Sequence, residues 1–221
     1  MTKSTITPEE KKLFFPNGNI KERKFLLEGK LEGEYISYFN DGQIMANLHF
    51  VRGKKNGEAV TYYHNGQVRE KTNFINNKMG GLYVSYYENG HIREEENYKA
   101  GKLEGLYRRY YKTGELREEE NFKNGKFDGE YICYYKNGKL KEKGYFINDK
   151  REGEYKAYFK NGQIREQAFY KNGNIIGKFF SFNKNESDIN ESSTEGSEGI
   201  WEEKDVADLL KDLAHFDKKD K

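Results

Sequence analysis

The side chains able to do chemistry in this chain are few: four histidines, one cysteine and a column of carboxylates at fixed spacing. His49, His64, His91 and His215 show no His-x-His or His-Glu-x-x-His spacing, so no paired-histidine metal site is expected. Cys133 alone provides neither a disulfide nor a cysteine-based metal cluster, and between Tyr131 and Tyr134 it reads as a small buried side chain. Glu22, Glu70, Glu94, Glu118, Glu142 and Glu166 form a column, but a periodic carboxylate is a ladder partner more often than half of an acid–base pair. Lys-Met-Gly-Gly at 78–81 and the other Gly-Lys pairs lack the Ser or Thr of a phosphate-binding loop. The expectation is a protein that is no enzyme and takes no cofactor or metal.

Recognition chemistry is better supplied. Tyr62 with Arg69, Tyr86 with Arg93, Tyr110 with Arg117, Tyr134 with Lys141 and Tyr158 with Arg165 recur in step. Tyr and Arg dominate interface hot spots because they combine contact area with directional hydrogen bonds. The plain alternative is cladding, in which guanidinium groups stack on neighbouring rings for ~0.5–1 kcal/mol each. As a stripe with one element every ~10 Å, the set is read as a partner-binding surface.

What must position these residues is a repeat. Tyr38-Phe39-Asn40-Asp41-Gly42 returns from Tyr62, Tyr86, Tyr110, Tyr134 and Tyr158, and earlier from Phe14, always at 24 residues. Seven units with no insertion therefore occupy 14–182. Most of the 23 glycines fall at three positions of the unit, which marks regularly spaced turns. Asn77 and Asp149 stand where other units carry the middle glycine, and these types best tolerate the left-handed region. Asn-Gly between apolar runs is a hairpin signal, so each unit reads as two short antiparallel strands. With a two-residue Asn89-Gly90 loop, Tyr87 faces Ile92, Tyr86 faces Arg93 and Tyr83 faces Glu96. Alternation then puts Tyr83, Tyr87, Ile92 and Tyr98 on a core face and Tyr86 with Arg93 on the opposite one; a three-residue loop would change this pairing.

The pattern Y-Y-x-N-G-x-I-R-E, followed by F-x-N-G-K-x-x-G-x-Y, resembles the MORN-repeat variant, which is common in bacterial proteins and is often found in chains classed with the YwqK-type antitoxins. The resemblance covers residues 14 to 182. The second unit departs from it, with Met45, Ala46 and Ala59 in place of the basic, acidic and tyrosine positions. It implies an all-β, single-sheet β-hairpin solenoid of seven 24-residue repeats. In function it implies a protein-binding module, an antitoxin or immunity-type protein that neutralises or regulates a protein partner. The alternative it implies is a cytoplasmic scaffold that contacts membrane lipids or organises a complex.

Outside the repeats, residues 1–13 read as an N-terminal extension without the apolar stretch of a signal peptide, and 183–199 as a polar, flexible linker. In 200–221, Trp201, Val206, Leu209, Leu210, Leu213 and Phe216 follow the spacing of an amphipathic helix, a second candidate binding element. That helix is read either as a cap on the last repeat or as a ligand for the partner.

Charge divides at the same place. Residues 183–221 hold 6 Lys against 12 acidic residues, while 1–182 hold 33 basic and 25 acidic ones. The overall +2 therefore hides a basic repeat region and an acidic tail. Interleaved glutamates dilute the basic field, so a protein partner is preferred to nucleic acid. A mean hydropathy of −1.10 beside 15% aromatic residues indicates a core built from rings. No apolar run approaches the ~18 residues of a membrane helix, and a cytoplasmic protein is expected.

Overall fold

The computed structural model describes residues 7–182 and the strand backbone of 189–193. All regular structure among them is β, as the repeat pattern predicts. The chain divides into two compact units, Met1–Glu115 and Leu116–Lys221. In the first, the strands are β1 (Glu9–Phe14), β2 (Ile20–Leu27), β3 (Lys30–Tyr38), β4 (Ile44–Val51), β5 (Lys54–Tyr62) and β6 (Val68–Ile75). They continue with β7 (Lys78–Met79), β8 (Gly81–Tyr86), β9 (Ile92–Lys99), β10 (Lys102–Leu103) and β11 (Gly105–Tyr110). The second unit holds β12 (Leu116–Lys123), β13 (Lys126–Tyr134), β14 (Leu140–Ile147) and β15 (Lys150–Tyr158). It ends with β16 (Ile164–Lys171), β17 (Asn174–Phe182) and β18 (Ile189–Ser193). Within each unit the strands form an antiparallel meander.

Two boundaries differ from the sequence reading. β1 begins inside the segment read as an extension and pairs Glu9 through Phe14 with β2. Residues 189–193, inside the segment read as a linker, pair with Lys178–Phe182 as β18. Both additions cover a strand edge that would otherwise present unpaired backbone groups.

Two kinds of turn alternate. At the middle-glycine position the turn is a two-residue loop with positive φ at both residues, the type I′ geometry that matches strand twist. Ala100-Gly101 (52° and 83°) and Asn124-Gly125 (54° and 80°) are examples. Asn76-Asn77 (50° and 67°) and Asn148-Asp149 (49° and 68°) adopt it without glycine, as their side chains predict. The Tyr-x-Asn-Gly turns are three-residue loops instead. The Tyr87 N–H donates to His91 O at 2.8 Å, the Gly90 N–H donates to Tyr87 O at 2.9 Å, and Gly90 takes φ 85°.

The longer loop corrects the expected register. Tyr86 lies opposite Ile92, not Arg93, and a bulge between Ser85 and Tyr86 then restores the expected pairs Ser85–Glu94 and Tyr83–Glu96. The irregularity recurs at Ser37/Tyr38, Thr61/Tyr62, Cys133/Tyr134 and Ala157/Tyr158. Ile92 lies opposite Tyr86 on the other face, so of the four residues assigned to the core face it is the one the observed register moves away.

That face carries the rings. Tyr83 meets Tyr98 edge-on at 6.4 Å, and Phe127 stacks on Phe122 and Phe146 at 5.5 and 4.1 Å. Tyr155 and Tyr170 pack edge-on at 6.1 Å over the fully buried Ala157 and Ala168. Burial pushes the Tyr155 phenol up to about 12, and burial also raises Tyr35, Tyr83, Tyr98 and Tyr131. Unfolded tyrosines titrate near ~10, so with rising pH the unfolded chain gives up its phenolic protons first. Stability is therefore full below about pH 10 and falls between about pH 10 and 12. Urea midpoints measured across pH 8 to 12 are expected to hold and then drop over that interval.

Candidate partner-binding face

The bulge decides which way the candidate residues point. Glu94 lies opposite Ser85 and accepts from its hydroxyl at 3.5 Å. Arg93, the extra residue, reaches the same Glu94 carboxylate at 3.4 Å. Consecutive residues normally point to opposite faces; a bulge lets both side chains share one. The contact repeats as Arg69–Glu70 at 3.3 Å, Arg117–Glu118 at 3.9 Å, Lys141–Glu142 at 3.2 Å and Arg165–Glu166 at 3.2 Å. The basic column therefore lies on the ring face, neutralised by the glutamate column beside it.

The tyrosines occupy the other face. Tyr86 follows Ser85 in an extended strand and lies beyond it, and the Tyr110 hydroxyl donates to Glu95, not Glu94, at 2.5 Å. The expected Tyr–Arg stripe is thus two stripes on opposite faces of the sheet. The reason is the one extra loop residue, because a one-residue slip moves a side chain to the other side.

Each stripe tyrosine gains an aliphatic neighbour instead. Tyr38 lies opposite Ile44, Tyr62 opposite Val68, Tyr86 opposite Ile92, Tyr134 opposite Leu140 and Tyr158 opposite Ile164. Ile36 and Val84, two residues before Tyr38 and Tyr86 on the same face, are buried, whereas Ile44 and Leu82 stay exposed at 41% and 51%. The hydroxyls of Tyr38, Tyr62, Tyr86 and Tyr158 make no hydrogen bond to the described residues. The face offers half-buried rings, aliphatic area and free donors at Tyr38, Tyr62, Tyr86 and Tyr158, which is chemistry suited to recognition.

A second set of tyrosines, which sequence reasoning assigned to the core, positions the first. The Tyr63 hydroxyl donates to the Tyr86 carbonyl at 2.7 Å, Tyr87 to Tyr110 at 2.8 Å and Tyr135 to Tyr158 at 2.7 Å. Each loop tyrosine thereby holds the backbone of the stripe tyrosine one hairpin further on. The turn asparagines add a parallel bond, with Asn65 Nδ2 on Glu88 O at 3.1 Å and Asn89 Nδ2 on Lys112 O at 2.9 Å. Their Oδ1 atoms accept from the N–H two residues on. Asp41 has no amide to donate, and it meets the His64 Nε2 one hairpin later at 3.0 Å. The signal was present in sequence: an aromatic always stands between the stripe tyrosine and the turn.

Cys133 is 4% exposed and lies between Glu118 and Glu142 on the flanking strands. Burial pushes its thiol up, with Lys141 opposing. Alkylating reagents at neutral pH are expected to leave it unlabelled in the native protein and to label it once urea unfolds the chain, read by intact mass. Among the described residues no group of three or more His, Cys, Asp or Glu is placed to hold a metal. Trp201, Val206, Leu209, Leu210, Leu213 and Phe216 lie outside the described residues.

Within each unit, antiparallel hairpins clasped to the next by a tyrosine hydroxyl define a hairpin-repeat protein. The chain belongs to the MORN repeat variant family, whose model matches residues 31–51, 55–76, 79–100, 103–124, 127–148 and 151–172, more than half of its length. Repeats of this kind are in general protein- or lipid-binding modules. No curated protein matches the chain. Among solved structures, the GtfA/B complex bound to UDP and GlcNAc is similar at 12% identity and a TM-score of 0.24, over 63% of this chain and 25% of that one. A TcdB2-TccC3-Cdc42 structure is similar at 11% identity and a TM-score of 0.18, over 78% of this chain and 13% of that one. The chain thus spans a small part of either, and neither similarity bears on function.

Proposed function

We propose that this chain is a non-catalytic binding module whose Tyr–aliphatic face holds a protein partner in the cytoplasm, as an antitoxin or immunity-type protein. The observation that supports the reading is the contrast between the two faces. The basic column of the ring face is already paired with glutamates, while the hydroxyls of Tyr38, Tyr62, Tyr86 and Tyr158 make no hydrogen bond to the described residues and each ring stands beside an aliphatic side chain. The rings of this face return area and directional bonds when desolvated, and they stand beside the partly exposed ion pairs Arg23–Glu34, Lys71–Glu58 and Lys156–Glu154. A partner of complementary shape is favoured over a polyanion, since the face carries no row of unpaired cations.

Co-expression of the full chain with the product of each neighbouring gene tests this. Relief of a growth arrest, together with co-purification of the toxic product, is the expected result. No relief, with co-sedimentation on anionic vesicles, would replace this reading with the lipid-contacting scaffold.

A further inference from the structure

The type I′ turns line one edge of each unit with lysine. The residue after the turn is Lys30, Lys54, Lys78 or Lys102 in the first unit and Lys126 or Lys150 in the second, all exposed, while the turn Asn172-Gly173 is followed by Asn174. In the second unit Lys123 lies directly opposite Lys126, a like-charge pair that a sheet ordinarily avoids. Neighbouring carboxylates do not answer these charges, because they are bonded to turn amides. Asp149 accepts from the Phe127 N–H at 2.8 Å, Asp128 from Asn148 at 3.1 Å, and Glu152 from Asn172 at 2.8 Å while pairing with Lys171 at 2.6 Å. Among the described residues no carboxylate pairs with Lys123, Lys126 or Lys150. The turns stack closely, with Gly173 so near Lys150 that a Cβ there would lie 3.8 Å from the lysine Cβ. The lysines accordingly form a row, one per hairpin.

We propose that the acidic C-terminal segment of this same chain, residues 194–221, lies along this lysine-lined edge. Three observations choose this occupant. The segment carries Glu195, Glu198, Glu202, Glu203, Asp205 and further acids, in excess over its lysines. The chain also leaves the described structure in the right direction. β17 starts at that edge with Asn174, and β18 runs back along it, so that Ser193 pairs with Lys178 and the chain is heading toward the turns. Reach is sufficient, since the eight residues 194–201 span up to ~28 Å extended, against ~10 Å between successive hairpins. The helical spacing predicted for 200–216 places Glu202, Asp205, Asp208 and Asp212 along ~15 Å of one side, enough to meet two successive lysines. This edge is separate from the tyrosine face of the proposed function. An external polyanion approaching the edge has the tail as a built-in competitor.

Trp201 is the only tryptophan, and it sits at the start of the acidic run. Its fluorescence anisotropy in the full chain reports whether the tail is held. At low salt the anisotropy is expected to match that of a residue fixed to the protein. It is expected to fall to that of a free segment at ~1 M salt, where the Debye length is about 3 Å. The triple variant Lys123→Gln, Lys126→Gln, Lys150→Gln is expected to reproduce that loss. The control Lys136→Gln, Lys139→Gln, Lys160→Gln removes the same charge from the Asn-Gly turns and is expected to leave the signal unchanged. Carbodiimide cross-linking of the unmodified chain provides a readout that needs no variant, with amide links expected from tail carboxylates to Lys123, Lys126 or Lys150. An anisotropy insensitive to salt, equal losses in both triple variants, links confined to Lys136, Lys139 or Lys160, or links found only between two copies would each overturn the proposal.

Discussion

Replacing Tyr62 and Tyr86 together by alanine is expected to weaken the partner complex about 100-fold, on the scale of two hot-spot side chains at ~2 kcal/mol or less each. Both hydroxyls are unbonded and both rings stand beside aliphatic partners, Val68 and Ile92. The matched pair Arg69→Ala and Arg93→Ala is expected to change affinity less than about threefold, since these guanidinium groups lie on the other face and already serve Glu70 and Glu94. Titration calorimetry of the co-purified complex measures both variants, with the melting temperature of the free chain as the control for folding. The reverse order of effects, with the arginine pair costing the larger factor, would move the binding face to the Arg–Glu side. Loss of affinity with a collapsed melting temperature would mark the tyrosines as structural.

Phe127→Ala is expected to produce the largest stability loss of any single substitution in the second unit. Its ring is sandwiched between Phe122 and Phe146 and is met edge-on by Tyr131 at 6.0 Å. A fully buried Phe→Ala costs ~3–5 kcal/mol; in a sheet where Phe127 is half-buried, about 2–3 kcal/mol is expected. A hairpin repeat contacts only its neighbours, so the damage is local. Hydrogen exchange is expected to lose protection in β12 to β14 while β2 to β5 keep theirs. Uniform loss along the whole chain would mean that the repeats unfold as one cooperative block.

Much of the architecture was legible in the sequence because its causes are local. The 24-residue period, the positive-φ positions and the substitution of Asn77 and Asp149 for glycine all act through the torsions of one or two residues. Nothing beyond the chain segment itself is needed to require a turn there. The pairing of Tyr83 with Glu96 was equally legible, since it follows from counting outward along the two strands from the turn.

The faces were decided only by the tertiary structure. Asn89-Gly90 carries the same dipeptide signal for a two-residue loop as for the three-residue loop it forms, and the difference is which residue first finds a cross-strand partner. The three-residue form leaves Tyr87 free to reach the Tyr110 carbonyl one hairpin away, a bond that no local pattern encodes. The displaced register is then repaired by the bulge at Arg93, which turns the basic column onto the ring face beside its glutamates. Residue types and spacing thus determined that this protein is a row of hairpins bearing tyrosine and arginine. Contacts between hairpins determined that the two present themselves on opposite sides, because a side chain's face depends on a register that stacking, not spacing, selects.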